Sequence, residues 1–192
     1  LEEAVKSILH QTLKPSEVVI VEDGPLTPEL YQVLEKLAAQ SSIPIKRCPL
    51  EQNRGLGLAL QYGVLQCQYD VIARMDTDDI AVEDRFEQQF DLMEKENLDL
   101  LGGHIAEFID QPDEIVSYRR VPIKHEEIIA YQRMRSAFNH MTVMFKKEMV
   151  LKAGNYEDGL YMEDDLLWLN MISAGARTGN VDQILCKVRV GA

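Results

Sequence analysis

Residues 17–24 read EVVIVEDG: four consecutive apolar strand formers, Val18 to Val21, closed by two acids and a glycine. An unbroken apolar run, unlike an alternating one, suits a parallel strand covered on both faces. Helical patterns lie on either side of it. LEEAVKSILHQTL (1–13) sets Val5, Ile8, Leu9 and Leu13 on one stripe, and TPELYQVLEKLAAQ (27–40) opens with Thr27 as a cap and Pro28 in the first turn. The alternation then repeats. IPIKRC (43–48) reads as a strand, GLGLALQYGVLQC (55–67) as a helix entered through a glycine-rich turn, and DVIARMD (70–76) as another buried strand. AVEDRFEQQFDLMEKE (81–96) is amphipathic, with Phe86, Phe90 and Met93 on one stripe. Strands alternating with helices predict an α/β fold with a mostly parallel central sheet flanked by helices. Beyond residue 98 the pattern loosens. LDLLGGHIAEFI (98–109), HMTVMF (140–145) and ILCKVRV (184–190) read as strands, and KHEEIIAYQRM (124–134) and EDDLLWLNMISAG (163–175) as helices. With no repeat and no linker-like stretch, a single domain over 1–192 is expected.

The bulk chemistry narrows the function. Hydrophobic residues make up 46% and charged residues 27% of the 192, enough for a globular core. A net charge of −12, with no basic stripe, excludes nucleic acid as a partner. It also means that a diphosphate is held only with local help, from a cation, an arginine or a helix N-terminus. Cys48, Cys67 and Cys186 form no C-x-x-C pair and read as reduced thiols of a cytoplasmic protein. No apolar run approaches the ~20 residues of a membrane-spanning helix. The chain starts inside a helical pattern, so upstream residues are expected.

In open α/β sheets, ligands bind beyond the carboxyl ends of the strands. Two of the predicted strands end in acids there: Glu22 and Asp23 close the first, and Asp76, Asp78 and Asp79 follow the third. Carboxylates at such positions accept hydrogen bonds from a base or ribose, and a D-x-D pair chelates a hard divalent cation through oxygen. The competing reading is a solvated turn in which Asp79 or Asp84 merely caps the next helix. An EF-hand loop fails, because Ala81 and Ile80 stand where a glycine and an oxygen donor are required. Arg54, ahead of a helix N-terminus, is within reach of a phosphate. Arg74 is either a paired internal ion or a neighbour of the acids. His140, before an apolar stretch, is as readily structural as functional. Glu163, Asp164 and Asp165 suit a helix N-terminus electrostatically; the sharper reading makes one of them a general base.

Five separated stretches, in order, resemble the family 2 inverting glycosyltransferases of GT-A fold, especially the bacterial capsule and exopolysaccharide enzymes: SILHQTLKPSEVVIVEDG, NRGLGLAL, ARMDTDDI, NHMTVMFKKEMVLKAGNY and YMEDDLLWLNMISAG. The resemblance implies a Rossmann-like GT-A domain whose first strand lies ahead of this chain, with residues 1–97 holding a nucleotide sugar and residues 98–192 an acceptor. It implies that Asp23 with Glu22 contacts the base, that Asp76 lies by the ribose and diphosphate, and that Asp78, with Asp76, ligates Mn²⁺ or Mg²⁺. Asp164 would be the catalytic base, Glu163 its support, and His140 a neighbour of the diphosphate or metal. The implied partners are a nucleotide-diphosphate sugar, with UDP as the expected nucleotide, and a glycan or lipid-linked acceptor. The implied location is the cytoplasm, at the inner face of the membrane where the acceptor is a lipid. The family usually has an Arg where this chain has Asn170. Two alternatives remain at this point: a binding module that grips nucleotide sugar or glycan without catalysis, and a sugar-nucleotide pyrophosphorylase, which needs a basic Gly-rich loop not seen here.

Overall fold

A computed structural model describes residues 1–158 and 162–191. Helix α1 (Glu2–Leu9) leads into β1 (Val18–Glu22), and α2 (Pro28–Gln40) crosses to β2 (Ile45–Pro49), which pairs with β1 in parallel. The signals at α2 act as the sequence predicts: Thr27 Oγ1 accepts from Leu30 N–H, and Pro28 is the first helical residue. Helix α3 (Leu56–Gln66) follows, then β3 (Val71–Ala73), β4 (Ile80–Ala81) and α4 (Arg85–Glu96). The second half is built from β5 (Leu100–Phe108), β6 (Ile115–Arg119), α5 (His125–Gln132), a single 3₁₀ turn (His140–Thr142), β7 (Met144–Lys146), α6 (Lys147–Lys152), α7 (Glu163–Ser173) and β8 (Thr178–Arg189).

Six strands form one sheet in the order β3-β7-β5-β8-β4, with β6 paired on β5. The α/β class is as predicted, but the sheet is mixed rather than mostly parallel. Only β5–β8 runs parallel; β3–β7, β4–β8, β5–β6 and β5–β7 are antiparallel. The cause is connection length. A parallel pair needs a long crossover, as α2 provides for β1 and β2, whereas β6 follows β5 after a six-residue loop and turns straight back. HMTVMF is likewise not one strand, because its first residues form the 3₁₀ turn and only Met144 onward pairs.

Side-chain alternation splits the core across the sheet. Leu100 and Phe145 face α5, α6 and α7 with Ile128, Val150, Leu167 and Trp168. Their neighbours Leu101 and Met144 face α1 and α4 with Ile8, Phe86 and Met93. Helix α4 departs from its expected stripe: Phe90 is exposed, while Arg85, Gln89 and Met93, one turn apart, point inward with Phe86. The β1 run is only half-buried except at Glu22. Among the described residues β1 pairs only with β2 and β3 only with β7, so each keeps one open edge.

Candidate active site

The acids at the end of β1 have different local roles. Glu22 is buried and receives a forked pair from Arg47 of β2, at 2.6 and 3.0 Å. Arg47 in turn stacks over Tyr31. Both Glu22 oxygens are therefore occupied. Asp23 instead accepts from the backbone N–H groups of Arg54 (2.7 Å) and Gly55 (3.0 Å). It thereby supplies the cap that Gly55, at the α3 cap position and without a side chain, cannot give; the Gly55 φ of 89° suits a residue without Cβ. The Arg54 side chain is exposed and makes no hydrogen bond among the described residues.

At the end of β3, Arg74 is buried and grips Asp76 through both guanidinium nitrogens, at 2.5 and 2.7 Å. Desolvation still raises the Asp76 pKa, against the pull of Arg74. Asp78 is exposed and unpaired among the described residues. Asp79 is buried, accepts from Arg189 N–H of β8 at 3.0 Å, and is pushed up to about 6, by burial first and by Asp76 and Asp78 next. The cap position of α4 is held by Asp84, five residues on, which makes no capping bond. Beneath the loop lies Arg85, fully buried, with no carboxylate partner among the described residues. It donates to the carbonyls of Arg74 (2.7 Å) and Val143 (3.4 Å) and to Gln89 Oε1 (2.9 Å), while Gln89 donates to Thr142 O (2.8 Å). Thus α4 pins the acidic loop to the segment that carries His140.

Across from this loop, α7 begins with Glu163, Asp164 and Asp165. Asp165 is committed to Gln132 of α5 at 2.7 Å. Asp164 Oδ2 lies 3.8 Å from His140 Nδ1, and the opposite ring nitrogen of His140 meets the Tyr156 hydroxyl at 3.0 Å. Ligand atoms of His140, Glu163 and Asp164 all fall within 4.8 Å of one another. Glu163 is buried with no side-chain partner among the described residues. Burial raises the Asp164 pKa and drives that of His140 well below 6.5. The two halves share one region. Tyr156 feels the charges of Arg74, Asp164, Glu163 and Asp76, and Gly57 of α3 abuts Glu163 Cβ and the Glu157 carbonyl. Tyr156 and Arg85 escaped the sequence reading. Tyr156 closes the stretch 139–156 that carries the resemblance but was given no role there, and Arg85 is a charged helix residue off the expected apolar stripe. Arg74 Nε, Asn139 Oδ1 and Trp168 Nε1 are buried polar atoms without hydrogen-bond partners among the described residues.

Carboxylates at the ends of α/β strands suit a cation-assisted nucleotide-binding enzyme, and comparison gives the family. The glycosyl transferase family 2 model matches residues 1–158. The amylovoran biosynthesis glycosyltransferase AmsE of Erwinia amylovora is 41% identical over 193 residues, covering 100% of this chain and 71% of that protein. An Escherichia coli protein named UDP-Gal:alpha-D-GlcNAc-diphosphoundecaprenol beta-1,3-galactosyltransferase is 37% identical over 190 residues, covering 98% and 68%. The structure of S. aureus TarS 1–349 in complex with UDP-GlcNAc superposes with a TM-score of 0.75 at 18% identity, over 99% of this chain and 54% of that one. The mannosyltransferase PcManGT from Pyrobaculum calidifontis, in complex with GDP-Man and Mn²⁺, gives 0.74 at 16%, over 99% and 53%. The chain thus spans about half the length of those solved chains. The chain belongs to glycosyl transferase family 2, and its fold is the Rossmann-like GT-A architecture the sequence resembles. A pyrophosphorylase is thereby set aside.

Proposed function

We propose that the chain moves a sugar from a nucleotide-diphosphate sugar, UDP-linked in the first instance, to a hydroxyl of a lipid-linked or glycan acceptor, with inversion, in bacterial surface polysaccharide synthesis. Residues 1–97 hold the donor and residues 98–192 the acceptor. The observation that carries this reading is Asp164, a half-buried carboxylate 3.8 Å from His140, whose partner Tyr156 also feels the charge of Asp76 after β3. Asp164 takes the proton of the acceptor hydroxyl as that oxygen attacks the anomeric carbon, and the nucleoside diphosphate departs from the opposite face. Burial raises the Tyr156 pKa and keeps its hydroxyl protonated. Tyr156 then donates to His140 Nε2, which leaves Nδ1–H turned toward Asp164 and favours the base form. Glu163, buried and without a side-chain partner among the described residues, would hold the acceptor or orient Asp164. Asp23 presents the α3 entry, with Arg54 beside it, to the nucleotide, and Glu22 acts through Arg47 as the brace of that strand end. The relatives' names and the nucleotide-sugar complexes support the donor class.

A divalent cation would be held by Asp78, exposed and without a partner among the described residues, beside Asp76, whose two oxygens also meet Arg74; both offer hard oxygen. When bound, Mn²⁺ or Mg²⁺ supplies Lewis-acid stabilisation of the leaving diphosphate. A thermal-shift screen of UDP, GDP and other nucleoside diphosphates, with and without Mn²⁺, tests the reading. The expected result is a shift for UDP with metal that Asp78→Ala abolishes. No shift with any nucleotide overturns it.

A further inference from the structure

The sequence offers no basic amphipathic helix, yet the folded chain assembles a basic and apolar surface from two elements. Between Arg119 and Arg135 there are five Lys or Arg against only Glu126 and Glu127, in a molecule of net charge −12. Arg119 Nη2 reaches the Ser136 carbonyl at 3.5 Å, which brings the end of β6 against the turn that follows α5. Arg119, Arg120, Arg133 and Arg135 are all exposed, and none has a carboxylate partner among the described residues. Met134 is 85% exposed between two of these arginines, and Tyr131 beside it is also exposed. Both line a shallow groove with Pro122, Ala130 and Arg135, whose acidic member is Glu127.

We propose that this surface docks on an anionic phospholipid bilayer. Unpaired arginines are drawn to a negatively charged headgroup layer, and a flexible apolar Met with a Tyr beside it suits the headgroup–acyl boundary. The acidity of the remaining molecule is screened beyond about 8–10 Å at cellular salt, so a local basic cluster decides contact. Position links the surface to the chemistry. Gln132, at the end of α5, donates to Asp165 and also accepts from Ala137 N–H. The turn bearing Met134 is therefore tied to the residue next to Asp164. A docked molecule holds its acceptor side toward the lipid. The inference rests on the lipid-linked acceptor proposed above.

The test is co-sedimentation of the full-length protein with phosphatidylcholine vesicles, with and without phosphatidylglycerol, at low and high salt. Wild type is expected to pellet with the anionic vesicles only, less so at high salt. The double variant Arg133→Glu/Arg135→Glu and the single variant Met134→Asp should each weaken binding, the former by about tenfold or more. Both should keep the wild-type melting curve and undiminished transfer to a water-soluble acceptor. Equal binding to neutral vesicles, no binding to anionic ones, or an unaffected double variant overturns the proposal. So does a concentration-dependent dimer in sedimentation velocity that Met134→Asp abolishes, since the face then joins two copies of the chain. Vesicle binding without any sugar transfer, by contrast, sinks the proposed function and leaves the docking surface standing.

Discussion

Burial moves His140 and Asp164 in directions that an ion pair would not. Pairing would lower the acid and raise the imidazole; instead the acid rises and the imidazole falls, so desolvation outweighs attraction at 3.8 Å. The pH dependence follows with a definite sign. Asp164 must be unprotonated to act, and its pKa lies above the ordinary 3.8, so kcat/KM should decline on the acid side through a value above that. Asp164→Asn should remove this limb and lower kcat by roughly 10²–10⁴-fold, with the donor-induced thermal shift unchanged. For stability the sign is opposite. A raised carboxylate pKa contributes stability fully present below the unfolded value and lost as pH rises through the folded one. Asp164→Asn should therefore melt no lower than wild type at neutral pH, which separates catalysis from folding. Tyr156→Phe removes the donor that fixes the His140 tautomer. The acid limb should move to higher pH, read from the kcat/KM profile, and a limb that stays put contradicts the mechanism. Asp23, Asp76, Asp78 and Asp164 were singled out in the sequence by strand ends and acid spacing, and His140 by its place before an apolar stretch; the roles given to them came from the family resemblance and are proposals. Arg85 and Tyr156 were not, because their partners are backbone carbonyls and a histidine that only tertiary packing brings near.

Helix α4 shows how an element can carry the site without touching it. Its guanidinium at Arg85 satisfies the Arg74 and Val143 carbonyls at once. Arg85→Met leaves the Arg74 carbonyl without this donor, while Val143 O keeps the Arg74 N–H, at about 1–3 kcal/mol, or roughly 2–12 °C in Tm by calorimetry. Arg85→Lys should recover part of this. Helix α3 makes a close approach of its own. A Cβ on Gly57 would fall inside contact distance of the Glu157 carbonyl oxygen, so Gly57→Ala should destabilise by about 1–3 kcal/mol despite alanine's higher helix propensity. A denaturant titration checks both sign and size. The helices themselves were readable from apolar spacing, since α2, α3, α5 and α7 fall where the pattern put them. Strand direction was not. Periodicity reports burial, while antiparallel pairing follows from loop lengths, and Arg85 and Gln89 point inward where the aromatic stripe suggested Phe90.

At the scale of the molecule, β1 and β2 pair only with each other among the described residues, beside the six-stranded sheet. The fold class was legible at this level from the strand–helix alternation; the strand order was not, since which strands lie side by side is set by contacts distant in sequence. One further property comes from Trp168. It is the sole tryptophan of the chain, fully buried, with its ring centroid 5.8 Å from that of His140 and 6.3 Å from that of Tyr156. Every photon emitted under indole-selective excitation thus originates beside the cleft, and an unlabelled fluorimeter trace becomes a record of what arrives there and when it leaves.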